Sequence, residues 1–251
     1  MRENEPALWR SSLPQPQSED HKYSRGVSRI VGAPEMTGAT RLAATACARI
    51  GCGLVVVGCT PATYDIYRTT LPAHIVVKPD PAWQDSRITA TLQGPGGMPG
   101  ALLDVDHPQV LDAGALHANS MSLGSCTVIT PHEGEFGRLL PNFQGDRNVR
   151  VLAAAREMGC FVVLKGHETL IAAPDGRCVI NTNAPPTLAT AGSGDVLSGL
   201  IAGLLAQGME PFDAACAGVW IHCETARMAG AGLVASDLPD LIPEVLGEFY
   251  L

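Results

Sequence analysis

At 251 residues, 46% hydrophobic and 17% charged, the chain is long enough to bury one sizeable core, and a single domain is the default. A net charge of −8 with no basic run argues against a nucleic-acid partner, whose phosphates would need a Lys/Arg surface. No apolar stretch approaches the ~20 residues of a membrane span. The eight cysteines form no CxxC, so they read as small buried hydrophobes in a cytoplasmic protein rather than as a disulfide framework or metal site.

Residues 1–24 are polar, carry Pro6, Pro14 and Pro16, and lack the apolar core of a signal peptide, which predicts a flexible lead-in or linker ahead of one domain over 25–251. RIVGA (29–33) then reads as a buried strand, TGATRLAATACARIG (37–51) as a helix ended by glycine, and LVVVG (54–58) as the next strand. A crossover of that length implies parallel pairing. Further strands are predicted at IVV (75–77), ITATLQG (88–94), QVLDAG (109–114), TVIT (127–130) and FVVLKG (161–166). TLIAA (169–173) and RCVIN (177–181) flank a PDG hairpin turn. Helices are expected at 195–207, 211–229 and around 240–250. Between GPGG (94–97) and QVLDAG a full crossover helix barely fits. The alternation predicts an α/β fold with a doubly wound, mainly parallel sheet flanked by helices on both faces.

The chemistry-bearing stretches fall at predicted strand ends, where α/β sheets bind ligands. In AGSGD (191–195) small residues let main chain approach a ligand, and the following helix aims free N–H groups and its dipole at that spot. Two readings stand side by side: Asp195 as an ordinary helix cap, or Asp195 as a base beside an anion cradle of Gly192, Ser193 and Gly194. No GK[ST] follows, so this is not a Walker loop, and no GxGxxG follows the first strand. Gly199 and Gly203 suggest close helix packing. VITPHEGEF (128–136) places His132, Glu133 and Glu135 at a strand end, where His132 is either a ligand contact or a hydrogen-bonded surface residue. Lys165 suits a phosphate neighbour and would look the same as a surface lysine. GPGG and Asp112 occupy equivalent positions.

Taken together, IVGAPEMTGATRLAATACARIGCGLV, QGPGG, VLDAGAL, VITPHEGEF, VVLKGHETLIAAPDG, NAPPTLATAGSGDVLSGLIAGLLAQG and AGVWIHCETA resemble the NAD(P)H-hydrate dehydratases, carbohydrate-kinase-like members of the ribokinase-like superfamily. The resemblance runs from His21 onward in family order. It implies repair of hydrated NADH or NADPH at the expense of ADP or ATP, by phosphorylation of the ring hydroxyl and elimination of phosphate. It implies Asp195 as the base facing that hydroxyl and Gly192, Ser193 and Gly194 as the phosphoryl cradle. Lys165, Gly166, His167, Glu168, Thr169 and Gly194 would line the nucleotide, and Ala39, Gly96, His132 and Asp195 the hydrated dinucleotide. Mg²⁺ is expected on the nucleotide phosphates, with Glu135 as the candidate protein ligand. A homo-oligomer, a tetramer by analogy with bacterial relatives, and functional pairing with an NAD(P)H-hydrate epimerase are also implied. The lead-in resembles the linker of two-domain relatives in which an epimerase domain comes first, a domain not expected in this chain. Departures are a shorter run from GPGG to QVLDAG, a short segment over 59–93, and Ala33 and Pro34 where the family favours glycine. Two alternative activities are a small-alcohol kinase of the thiazole or hydroxymethylpyrimidine type and a non-catalytic nucleotide-binding paralogue.

Overall fold

Short β-branched runs punctuated by glycine build the sheet of this computed structural model, which describes residues 1–117, 123–141 and 145–250. In chain order the elements are β1 (Arg2–Glu3), β2 (Val27–Val31), α1 (Thr37–Arg49), β3 (Leu54–Gly58), α2 (Tyr64–Thr70), β4 (Val76–Lys78), β5 (Ala90–Gln93) and β6 (Gln109–Leu111). There follow β7 (Thr127–Ile129), α3 (Glu133–Leu139), α4 (Arg147–Met158), β8 (Phe161–Leu164), β9 (Thr169–Ala172), β10 (Cys178–Asn181), α5 (Ser193–Ala206), α6 (Pro211–Ala229) and α7 (Leu238–Gly247). All ten strands join one sheet in the order β1-β10-β9-β8-β7-β6-β5-β2-β3-β4. Pairing is parallel from β4 across to β8, antiparallel at β8–β9 and β9–β10, and parallel again at β1–β10. The winding direction reverses between β2 and β5, which opens a crevice at their C-terminal ends.

Strand alternation sorts side chains into two cores. Ile30, Val55, Val57, Leu92, Val110, Val163 and Ile171 face α1, α5, α6 and α7, whereas Ile129, Val162, Leu164 and Ala172 face α3 and α4. The GxxxG of α5 seats that helix on α1. A Cβ added at Gly199 would lie 2.2 Å from the Ala43 carbonyl oxygen, and one at Gly203 2.3 Å from Ile50 Cγ2. Six of the eight cysteines are buried, and none is in a disulfide.

Where the crossover from β5 to β6 has no helix, the sheet face beneath it is polar, and most of its side chains are paired, Arg29 Nε excepted. Gln93 Nε2 donates to Gln109 Oε1 (3.0 Å) and to the Leu103 carbonyl, and Gln93 Oε1 accepts from the Leu103 N–H. Arg29 and His107 converge on Thr91 Oγ1. Short loops can cover such a face because most of its buried polar groups find partners within the sheet or in the loops themselves.

The expected flexible lead-in over residues 1–24 is corrected for its first half. β1 extends the sheet beside β10, Asn4 Nδ2 donates to Asn181 Oδ1 and the Cys216 carbonyl, and Trp9 is fully buried. The Trp9 ring meets Trp220 and Phe249 at centroid distances of 5.7 and 5.3 Å. Trp9→Ala is therefore expected to cost about 3–5 kcal/mol in urea unfolding. A loss below about 1 kcal/mol would make the segment an accessory rather than part of the core.

Candidate active site

The turn Thr190-Ala191-Gly192 leads into α5, whose N-cap is Gly192 at φ 92°. Besides the strain of that φ, a Cβ at Gly192 would lie 2.7 Å from Leu42 Cδ1 and 3.0 Å from Ala235 Cβ, so the turn requires glycine. The helix begins at Ser193, two residues before the expected start at 195. Asp195 thus sits inside the first turn and makes no cap hydrogen bond. Its carboxylate is not spent on the helix, and the first turn of α5 lines the cleft, with the Ser193 N–H donating to the Thr190 carbonyl at 3.3 Å. Burial, and then repulsion from Asp112, push the Asp195 carboxyl up to about 7, with the Lys165 cation opposing. That places it near the value suited to a general base at neutral pH.

Parallel pairing brings the ends of β6, β7 and β8 to the same edge. Lys165 Nζ lies 2.9 Å from Asp112 Oδ1, and Thr130 Oγ1 donates to the same oxygen at 2.8 Å. Lys165 Nζ also sits 3.2 Å from where a Cβ at Gly194 would be, so it reaches the cradle. Ala113, next to Asp112, is the one non-glycine residue at positive φ (42°) among the described residues, and it too lines the cleft. Two glycine turns interlock behind it: the Gly94 carbonyl accepts from the Gly97 and Gly114 N–H groups.

His132 is the N-cap of α3. Its Nδ1 accepts from the Gly134 and Glu135 N–H groups, while Glu135 Oε2 accepts from the His132 N–H at 2.8 Å. This capping box leaves Nε2 outside the cap, 3.6 Å from Glu135 Oε2 on a half-exposed ring. It also occupies one oxygen of Glu135, and among the described residues no three His, Cys, Asp or Glu side chains gather to hold a metal ion. A protein cage for Mg²⁺ does not fit. An ion carried on nucleotide phosphates with several waters does.

A cleft of about 700 Å³ joins these groups. Of the sequence-derived candidates it brings together His132, Glu135, Lys165, Gly166, His167, Thr169, Gly192, Ser193, Gly194 and Asp195; Glu168 does not line it. Ala39 and Gly96 lie apart from this cleft and next to each other, at the crevice between β2 and β5. A Cβ at Gly96 would stand 3.0 Å from Ala39 Cβ and 2.4 Å from the Met36 carbonyl oxygen. Thr40 ties the two loops of that crevice by accepting from the Ala33 N–H and donating to the Pro95 carbonyl. The far wall of the cleft is absent from the sequence-derived candidates. Pro185, Pro186 and Leu188 from one loop and Val219 and Cys223 from α6 line it, forming an apolar slot whose chemistry suits a flat base; His222 of α6 borders the cleft as well. The adjacent prolines are an available signal for a fixed wall, whereas a lone histidine among the small residues of α6 looks like core. A second cavity of similar size, lined by Asp85, Asp104 and His107, opens before β5 and β6, at the opposite ends of the strands from those that bind ligands.

Residues 27–246 match the NAD(P)H-hydrate dehydratase family. An ADP-dependent (S)-NAD(P)H-hydrate dehydratase of Neisseria meningitidis is 37% identical over 88% of this chain and 84% of its own. A bifunctional NAD(P)H-hydrate repair enzyme of Moorella thermoacetica is 37% identical over 96% of this chain, which spans only about half (53%) of that relative. In three dimensions the ADP/ATP-dependent NAD(P)H-hydrate dehydratase of Bacillus subtilis, co-crystallised with ATP/Mg²⁺, superposes with a TM-score of 0.87 at 29% identity, over 99% of this chain and 98% of its own. The fold is ribokinase-like, and no helix among the described residues is long and apolar enough to cross a membrane. An uncapped carboxylate beside a glycine cradle is shared chemistry among phosphoryl-transfer enzymes; sequence identity sustained across nearly the whole domain is narrower, and by it the chain belongs to the NAD(P)H-hydrate dehydratase family.

Proposed function

We propose that this protein restores hydrated NADH or NADPH to the intact dinucleotide at the expense of ADP or ATP. The observation that carries the reading is Asp195: desolvated, free of the helix cap, and directly after the cradle where a terminal phosphate would rest. As the ring hydroxyl attacks that phosphate, Asp195 takes its proton. The bond from phosphorus to the bridging oxygen breaks, and AMP leaves when ADP is the donor. The cradle N–H groups, with Lys165 alongside, stabilise charge on the transferring group. Hydroxide is a poor leaving group and phosphate a good one, so the C–O bond then breaks, a proton departs from the neighbouring carbon, and the ring double bond returns. The products are NAD(P)H, inorganic phosphate and AMP, or ADP when ATP is used.

In this reading the apolar slot of Pro185, Leu188 and Val219 takes the adenine of the phosphate donor, and Gly166, His167 and Thr169 line its path to the cradle. The hydrated dinucleotide approaches from the side of His132, with Ala39 and Gly96 at the neighbouring crevice. Mg²⁺ would neutralise the donor phosphates. Incubation with hydrated NADH, Mg²⁺ and ADP or ATP in turn tests the proposal. Regained near-ultraviolet absorbance of the reduced nicotinamide is expected. A stable phosphorylated product from a thiazole or pyrimidine alcohol, with no repair, would make the protein a kinase instead. Nucleotide-dependent thermal stabilisation without any turnover would make it a binding paralogue.

A further inference from the structure

His222 sits in the middle of α6, is 5% exposed, and turns its ring toward the first turn of α5. It borders the cleft, yet its Nε2 is buried with no hydrogen-bond partner among the described residues. The Ser193 main chain, at the centre of the cradle, is near enough to act on the ring's charge, although no hydrogen bond joins it to Nε2. We propose that His222 is a positioning residue for phosphoryl transfer: its imidazole, wedged between α6 and Ser193, sets the register of the Gly192–Gly194 turn so that the turn's N–H groups meet the terminal phosphate of a nucleoside di- or triphosphate. This rests on reading the cleft as the phosphate-donor site.

Three observations support the assignment. A buried polar atom with no partner is rarely kept where packing alone is at stake, because an apolar residue of similar shape would serve better. Burial, aided by the Lys165 cation, pushes the His222 imidazole down to about 4, although the Ser193 main chain pulls the other way. The ring is thus neutral and adds no second cation behind the cradle. One flank of the turn is held by Leu42 and Ala235, which a Cβ at Gly192 would meet at 2.7 and 3.0 Å, and His222 lines the same cleft from α6. A small shift of the turn toward the ring would complete the missing hydrogen bond, and a phosphate pulling on the turn's N–H groups would favour such a shift.

The test compares adenosine with ADP plus Mg²⁺, by calorimetry, on wild type, His222→Ala and His222→Gln. His222→Ala is expected to weaken ADP about tenfold while leaving adenosine within about twofold, because only the phosphate end depends on the cradle. His222→Gln, which retains a polar group at similar reach, is expected to recover part of the ADP affinity. Equal weakening of both ligands would place the ring on the base or sugar and overturn the proposal, as would no change in either. Should His222→Ala fail to fold, a partial, ADP-selective loss in His222→Gln supports the proposal, and a loss equal for both ligands overturns it. Wild-type protein that binds ADP but repairs no hydrated NADH would sink the dehydratase reading alone, and the contrast between adenosine and ADP would stand on its own.

Discussion

Replacing Asp195 by asparagine is expected to cut repair turnover by about 10³-fold while the folded protein becomes more stable above neutral pH. The kinetic half follows from losing the proton acceptor with almost no change of shape. Nucleotide affinity should stay within about threefold, because the phosphate meets main-chain N–H groups that the substitution leaves in place. The stability half follows from linkage. Asp195 is raised from an ordinary 3.8 to about 7 in the folded protein. Below 3.8 the carboxyl is protonated in both folded and unfolded chains and contributes no difference. Between those values the unfolded chain releases the proton that the folded one retains, so stability falls as pH rises, by about 1.4 kcal/mol per unit. Above about 7 the full cost, on the order of 4 kcal/mol as an upper bound, is in place. Asparagine carries no such cost. Urea unfolding of both proteins at pH 5 and pH 8 should show the mutant's advantage widening with pH. A constant difference would mean that the carboxyl is not held near neutrality. Equal turnover by the mutant would remove Asp195 from the chemistry.

The strands and the glycine turn before α5 are legible because their signals are local. Val and Ile runs bounded by glycine locate the strands from β2 through β10 to within a few residues, and PDG announces the β9–β10 hairpin. The misses have physical causes. The prolines around Trp9 give the lead-in the look of a linker, but the partners of that tryptophan, Trp220 and Phe249, are more than two hundred residues away. Nothing local reports such a contact. α4 has a readable signature in RNVRVLAAAREM closed by Gly159 in the left-handed conformation, yet it carries no candidate ligand residue and is missing from the expected helices. α3 is hidden by its own chemistry: His132 and Glu135 look like ligands, while their spacing is that of a capping box. The site meets a related limit. Asp112 and Lys165 can each be placed at a strand end, but their pairing depends on β6 and β8 flanking β7 in the sheet.

That pairing yields the second large effect. Lys165→Met removes the cation 2.9 Å from an Asp112 side chain that is only 2% exposed, leaving a buried carboxylate with Thr130 as its remaining side-chain donor among the described residues. Breaking one side of such a pair costs about 3–5 kcal/mol, and the 21% exposure of Lys165 places the expectation near the lower figure, about 3 kcal/mol. The double variant Lys165→Met/Asp112→Asn should recover most of that loss, since no unpaired charge is left behind. The same two residues act on Asp195 with opposite signs: Asp112 raises its carboxyl and Lys165 lowers it. The base works only when deprotonated, so the acid side of the kcat/KM profile reports this directly. Lys165→Met should move that limb to higher pH, on top of a large loss of rate from the missing phosphate contact, and Asp112→Asn should move it to lower pH. Profiles that shift in the same direction, or not at all, would show that the pair does not tune the base. A double variant no more stable than Lys165→Met would show that the lysine's contribution lies in packing rather than in neutralising Asp112.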